Sequence, residues 1–129
     1  MSAAGDLVAE AYTLARKGKN RDLRKLIADD ATWEPSAKGK WNPCKNADEI
    51  VKTLLWRAGT ANRMRPGQTI ELGPYIVFKL RGRRLERLGA QGFWAPKLFQ
   101  VVDVKAGKVV RIRDFGTMEE ALAGTGHDS

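Results

Sequence analysis

The sequence predicts an α+β protein in which helices come first and a curved antiparallel sheet packs against them. Between residues 6 and 58, apolar side chains recur at the spacing of helix faces, whereas from residue 68 to 115 they alternate along short strands. Turns that contain glycine separate those strands. Helices on one face of such a sheet form a layered domain, and the sheet is expected to curl into a cone, or conical β-barrel, around a cavity.

Two N-terminal helices are predicted from apolar stripes. The first covers residues 6–17 and can end at Gly18, and the second begins at Asn20. We expect the change from helix to strand at Asp29 or Asp30. The stripes consist of Leu7, Ala11, Leu14 and Ala15 in the first helix, and of Leu23, Leu26 and Ile27 in the second.

A short strand, a loop and a capped helix follow. The strand covers residues 29–35, and the loop of residues 36–45 is rich in turn-forming residues. Asn46, with Glu49 three positions later, resembles a capping box and predicts a third helix that runs to about Ala58.

The second half of the chain is predicted to be an antiparallel sheet closed by a short helix. Thr117 and Glu120 form a second capping box, and Gly124 ends the terminal helix. The predicted strands are QTIEL at 68–72, YIVFKL at 75–80, FWAPKLFQVVDV at 93–104 and KVVRIRDF at 108–115.

Composition predicts a single domain over residues 1–129, with a polar tail at about 125–129. No apolar run reaches the roughly 18 residues of a spanning helix, and the N-terminus lacks the pattern of a signal peptide, so we expect a cytoplasmic protein without membrane contact. Cys44 and His127 are the single cysteine and the single histidine, and they cannot supply a disulfide or a Cys/His metal set. We therefore expect no Cys/His metal site.

These elements and their order resemble the nuclear-transport-factor-2-like superfamily, and the SnoaL-like branch most. The resemblance is carried by LIADDATWEP before a loop and a capped helix, and by QVVDVKAGKVVRIRDFGTMEEALA at the end. It implies a cystatin-like roll with a conical pocket between sheet and helices, a homodimer through the outer sheet face, and no metal or organic cofactor. Because the superfamily includes polyketide cyclases, ketosteroid isomerase, epoxide hydrolases, dehydratases and transport factors, the resemblance leaves the activity open.

Alternation along the last strands predicts which side chains face the pocket. In the last strand, Ile112 and Asp114 share a face with Val110, while Arg111 and Arg113 take the other face. The inward face of the strand before it consists of Trp94, Pro96, Leu98, Gln100, Val102 and Val104. We expect Trp33, Trp94, Leu98, Val102 and Ile112 to form the walls of a pocket for a small hydrophobic molecule, with ordinary core packing as the alternative.

Asp114 is the strongest candidate for chemistry. A carboxylate inside an apolar cone would have a raised pKa, which suits a general acid or base. The alternative role is structural, because an Asp at this junction can cap the terminal helix by accepting hydrogen bonds from the turn at residues 116–118.

The resemblance to ketosteroid isomerase adds two further candidates. Gln100 matches the position of that enzyme's protonated oxyanion-hole Asp, and Tyr12 falls near its hydrogen-bonding Tyr if one residue is deleted before Asp29. Glu34 matches the catalytic base only if the register slips, since alternation that turns Trp33 inward turns Glu34 outward. The resulting hypothesis is a cofactor-independent isomerase, cyclase or dehydratase, and the alternative is a noncatalytic ligand-binding or dimerisation module.

Charge and exposed apolar residues guide the expected partners. The net charge is +8, and the basic run at 79–87 is typical of a solvated strand edge; it lacks the interleaved aromatics of a specific nucleic-acid site. Trp56 lies off the apolar stripe of its helix, either under a loop or at a dimer contact or pocket rim. A homodimer is expected because Phe93, Phe99, Val101 and Phe115 would otherwise lie on an exposed sheet face.

Overall fold

The computed structural model describes residues 3–35, 43–59, 63–82 and 98–126. In these segments the helices are α1 (Ala3–Arg16), α2 (Asn20–Lys25), α3 (Ala47–Ala58) and α4 (Met118–Ala123). The strands are β1 (Ile27–Glu34), β2 (Arg65–Leu72), β3 (Tyr75–Arg81), β4 (Phe99–Lys105) and β5 (Lys108–Phe115). The N-terminal helices pack on a curved sheet with the order β1-β5-β4-β3-β2, which confirms the predicted α+β architecture.

The sheet is mixed and open, which corrects two expectations. Strands β2 to β5 form the predicted antiparallel meander, but β1 pairs with β5 in parallel. The connection between β1 and β5 contains α3 and three strands, and a connection of that length allows parallel pairing. Since β1 and β2 remain at opposite edges of the sheet, the conical β-barrel is wrong.

The first strand begins earlier than its sequence indicates. Ile27, which the apolar stripe placed in the second helix, is fully buried and pairs with Val109 of β5. The predicted switch at Asp29 or Asp30 is therefore wrong by two or three residues. A single buried apolar side chain fits either periodicity, and here the backbone pairing with β5 decides between helix and strand.

At both predicted capping boxes, the N-cap side chain caps its helix. The Asn46 side chain accepts the amide of Glu49 at 2.9 Å at the start of α3. The Thr117 hydroxyl accepts the amide of Glu120 at 3.1 Å at the start of α4. Because Thr117 caps α4 while the Asp114 carboxylate makes other bonds, the alternative that Asp114 is the helix cap is wrong.

The sheet has an apolar core on each face. The larger core lies between the sheet and α1 and α3, and the smaller one lies under α4. Val101 is fully buried in the smaller core, with Phe99 and Phe115 half-buried beside it. Helix α4 of the same chain thus covers apolar residues that we expected to be exposed, so they no longer argue for a homodimer. Phe93 lies outside the described segments.

Arg113 holds α4 against the sheet. It lies on the face opposite Asp114, as alternation predicts, but it is buried and not solvated. Its guanidinium pairs with Asp103 at 3.1 Å and donates to the carbonyl of Gly124 at 2.7 Å. The ion pair therefore lies beneath the end of the terminal helix.

Candidate functional site

Five polar or aromatic side chains meet between the helices and the sheet, and we call them the buried polar cluster. Each comes from a different element, namely α1, β1, α3, β4 and β5. Gln100 and Asp114 are direct neighbours across the β4–β5 ladder, so their side chains share one face. Every member is at least 94% buried; the cluster consists of Tyr12, Trp33, Arg57, Gln100 and Asp114.

Asp114 is the centre of the cluster. One carboxylate oxygen accepts a hydrogen bond from the Gln100 amide at 2.9 Å. The other accepts from the Trp33 indole at 3.0 Å and from the Arg57 guanidinium at 3.2 Å. Asp114 points inward, as predicted. The expectation that its surroundings are wholly apolar is wrong. Alternation describes neighbours on one strand, whereas these donors come from β4, β1 and α3.

Arg57 is the member that the sequence interpretation missed. It forms a buried ion pair with Asp114, and its guanidinium carbon lies 4.6 Å from the centre of the Trp33 ring, a cation–π contact. A signal was present in the sequence, because Arg57 follows Ile50 by seven residues and so falls on the apolar stripe of α3. A charged residue at a core position indicates a buried partner.

Tyr12 connects to Asp114 through Gln100. The Tyr12 hydroxyl donates to the Gln100 carbonyl oxygen at 2.5 Å, while the Gln100 amide group donates to Asp114. Burial, and secondarily the negative charge of Asp114, raise the pKa of Tyr12, so the phenol keeps its proton at neutral pH. The chain of donors therefore runs in one direction, from Tyr12 to Asp114.

A cleft of about 760 Å³ lies between α1 and the edge strand β2. Its volume falls within the roughly 300 to 1,000 Å³ typical of small-molecule sites. Tyr12 lines this cleft and also belongs to the buried polar cluster. The lining residues are Gly5, Ala9, Tyr12, Thr13 and Arg16 from α1, and Arg63, Met64, Arg65, Pro66, Gly67 and Thr69 before and within β2.

The predicted wall residues lie elsewhere. Trp33, Val102 and Ile112 are buried in the larger core, and Leu98 packs against that core half-buried. None of these four lines the cleft, and Trp94 lies outside the described segments. Their role in binding a substrate stays a prediction.

Glu34 points away from the cluster. Its carboxylate pairs with Arg111 at 2.9 Å on the solvent side, while Trp33 beside it is buried. This is the arrangement that strand alternation predicts. An exposed, paired Glu34 does not fit the role of a buried base.

In the described part of the chain, no group of three or more His, Cys, Asp or Glu side chains is arranged to hold a metal ion. Cys44 is buried, and its sulfur lies 3.4 Å from the Thr53 hydroxyl. None of the helices described above is long and apolar enough to cross a membrane.

Known proteins resemble this chain in structure and not in sequence. No family model matches the sequence, and no curated protein matches it. An NTF2-like protein of unknown function from Cytophaga hutchinsonii superposes with a TM-score of 0.63 at 7% identity, over 92% of this chain and 94% of that one. The epoxide hydrolase/cyclase-like enzyme SalBIII, which has a role in pyran ring formation in the polyether salinomycin, gives 0.63 at 17% identity, over 89% and 91%.

These similarities identify the fold as nuclear-transport-factor-2-like, which is the fold that the sequence resemblance implies. A de novo designed protein with a curved β-sheet is just as similar, with a TM-score of 0.65 at 16% identity over 98% of this chain and 96% of that one. Since a designed scaffold and an enzyme match equally well, the fold by itself carries no activity.

Proposed function

We propose that the protein binds a small, mostly hydrophobic organic molecule in the cleft between α1 and β2. One observation carries the proposal: Tyr12 lines the cleft, and its hydroxyl is held in place by a hydrogen bond to Gln100. A ligand that enters the cleft meets a side chain whose position is set by a hydrogen-bonded network, which lowers the entropic cost of binding. Ala9, Met64 and Pro66 supply apolar contact surface in the same cleft.

A second candidate is cofactor-independent acid–base catalysis of an isomerase, cyclase or dehydratase type. It is favoured by the continuous hydrogen-bonded chain that connects Tyr12, at the cleft, to the carboxylate of Asp114. An epoxide hydrolase/cyclase-like enzyme shares the fold, so the fold is compatible with such a reaction. In this role Asp114 would transfer the proton, and Gln100 and Tyr12 would hold a carbonyl or enolate oxygen.

The bonds of Asp114 favour binding over catalysis. Its two oxygens already accept three hydrogen bonds, one of them from Arg57, and its side chain is 99% buried. A substrate would have to displace Gln100, Trp33 or Arg57 before Asp114 could exchange a proton with it. We therefore rank the binding function first.

The binding proposal is tested with the neutral apolar probe N-phenyl-1-naphthylamine, whose fluorescence rises in apolar surroundings. Wild-type protein should bind it saturably, and Ala9→Trp, which projects a large ring from α1 into the cleft, should abolish that binding. Glu10→Trp is the matched control, because Glu10 is the next residue of α1, is exposed and does not line the cleft. Melting curves confirm that each variant is folded. Non-saturable binding, or equal binding by the Ala9→Trp protein, would reject the proposal.

The catalytic candidate has its own test. Wild-type protein should accelerate deuterium exchange next to the carbonyl of cyclohexanone in D₂O, followed by NMR. Tyr12→Phe should abolish the acceleration, because the phenyl ring keeps the shape but has no hydroxyl that could turn from Gln100 and donate to an enolate oxygen. Exchange at the rate of the buffer alone would rule out enolate chemistry on this ketone and leave binding as the function.

We also propose that the protein is a cytoplasmic homodimer. The family resemblance and two exposed apolar side chains, Trp56 at 49% and Ile70 at 40%, support self-association. Light scattering at high protein concentration tests the dimer, and a monomer would contradict it. We propose no nucleic-acid partner; of the basic run, residues 83–87 lie outside the described segments.

A further inference from the structure

We infer that the ligand of the cleft between α1 and β2 carries an anionic oxygen group, such as a carboxylate, sulfonate or phosphate, that arginine side chains hold. This inference rests on the proposed binding function and specifies the class of ligand. Three of the lining residues that the structure describes are arginines, Arg16, Arg63 and Arg65, and none of the described ones is an aspartate or glutamate.

The described residues of the cleft include no acidic side chain that could offset the charge of its arginines. Neither Arg16 nor Arg63 forms an ion pair with any residue that the structure describes. Asp6 and Glu10, the acidic residues of α1, are exposed and do not line the cleft. Like charges gathered in a concave site with low-dielectric walls attract an ion of the opposite sign.

Helix geometry explains the position of Arg16. Gly5, Ala9, Tyr12 and Arg16 are separated by three or four residues, so they form one face of α1, and that face borders the cleft. Arg16 stands at the C-terminal end of this face. The same face thus carries an apolar stretch followed by a cation, a pattern that suits a molecule with an apolar body and an acidic end.

Backbone bonds fix the position of the segment that carries the other two arginines. The amide of Arg63 donates to the carbonyl of Gly59 at 2.7 Å, and the amide of Met64 donates to the carbonyl of Arg57 at 2.9 Å. Arg63 has a positive φ of 48°, an uncommon backbone conformation for a residue other than glycine. These bonds attach the segment that carries Arg63 and Arg65 to the end of α3. The second bond joins it to the backbone of Arg57, a member of the buried polar cluster.

The chemistry of arginine matches an oxyanion. A planar guanidinium presents paired N–H donors that fit the oxygens of a carboxylate, sulfonate or phosphate. The apolar part of the ligand would contact Ala9, Met64 and Pro66, which line the same cleft. An amphipathic acid therefore fits the lining better than a neutral hydrocarbon does.

The test compares two probes that share one aromatic framework: 8-anilinonaphthalene-1-sulfonate, which is anionic, and N-phenyl-1-naphthylamine, which is neutral. Their dissociation constants are measured for wild type, Arg16→Gln, Arg63→Gln and the double variant. The ratio of the sulfonate constant to the neutral constant should rise about two- to fivefold for each single variant, as expected for a partly exposed ion pair. The double variant should raise it further, and added salt should weaken sulfonate binding in the wild type.

Lys105→Gln is the matched control, because it removes one positive charge at the exposed β4–β5 turn, away from the cleft, and should leave the ratio unchanged. Competition against the bound sulfonate then separates the sources of the charge. Displacement by 4-phenylbutyrate supports a carboxylate ligand, displacement by phenyl phosphate supports a phosphate ligand, and equal displacement by neutral 4-phenylbutanol contradicts the inference.

Two kinds of failure can be distinguished. A ratio that does not change in the arginine variants overturns the anionic class of ligand, even if Ala9→Trp still abolishes binding of both probes. If Ala9→Trp leaves the binding of both probes intact, the cleft is not the binding site and the proposed function itself is wrong.

Discussion

Replacing Asp114 with Asn tests whether the buried polar cluster is a structural unit. The carboxylate accepts bonds from Gln100 on one oxygen and from Trp33 and Arg57 on the other. An Asn side chain has one oxygen and one NH₂ group, so in either orientation a donor faces a donor. Turning the Gln100 amide would give the Asn NH₂ an acceptor, but it would bring the Gln100 NH₂ to the Tyr12 hydroxyl, which would then have to accept a hydrogen bond instead of donating one.

The size of the effect follows from the lost charge. Asp114→Asn removes a negative charge that lies 3.2 Å from the guanidinium of Arg57, which is 98% buried. Breaking a buried ion pair by removing one partner costs about 3 to 5 kcal/mol of folding stability. For a domain of this length, that corresponds to a fall of roughly 10 to 20 °C in the melting temperature.

A double-mutant cycle measures the coupling directly. Adding Arg57→Met to Asp114→Asn removes the second charge of the pair and should recover part of the stability, since replacing both partners of a buried pair is far less costly than removing one. Urea denaturation of the wild type, both single variants and the double variant gives the four free energies of unfolding. Glu34→Gln serves as the control, because it breaks an exposed pair with Arg111 and should cost less than about 1 kcal/mol.

The result that would refute this reasoning is a small, uncoupled effect. If Asp114→Asn costs no more than Glu34→Gln, and the effects of Asp114→Asn and Arg57→Met add, then the ion pair does not hold the helices to the sheet. In that case a proton-transfer role for Asp114 would regain weight over the structural role.

Three further predictions concern single residues. Because the pKa of Tyr12 is raised on folding, the folded state holds its proton more tightly, and stability should fall as pH rises above about 10; denaturation at about pH 9 and 11 should show a smaller fall for Tyr12→Phe. Burial raises the pKa of the Cys44 thiol, so labelling with a thiol reagent at neutral pH should be slow until urea unfolds the protein, and fast labelling would contradict its buried position. Thr117→Ala should lower the free energy of unfolding by about 0.5 to 2 kcal/mol, whereas Thr117→Ser should retain most of it, since the hydroxyl caps α4.

Local patterns in the sequence determined most of the secondary structure. Capping residues located the starts of α3 and α4, and alternation located β5 and the inward direction of Asp114 and Trp33. These predictions were correct because caps and strand alternation depend on residues only a few positions apart.

Contacts between distant segments were decided only by the tertiary structure. In the buried polar cluster, Asp114 bonds to Arg57, 57 positions away in the sequence, and to Trp33, 81 positions away. Tyr12 bonds to Gln100, 88 positions away. The parallel pairing of β1 with β5, the cover that α4 forms over Val101, and the arginine-lined cleft depend in the same way on which elements come together. Periodicity states which side of an element is buried, but it does not state what lies opposite. The surroundings of a buried charge are set by that opposite surface, and so the partner of Asp114 was found only in the folded chain.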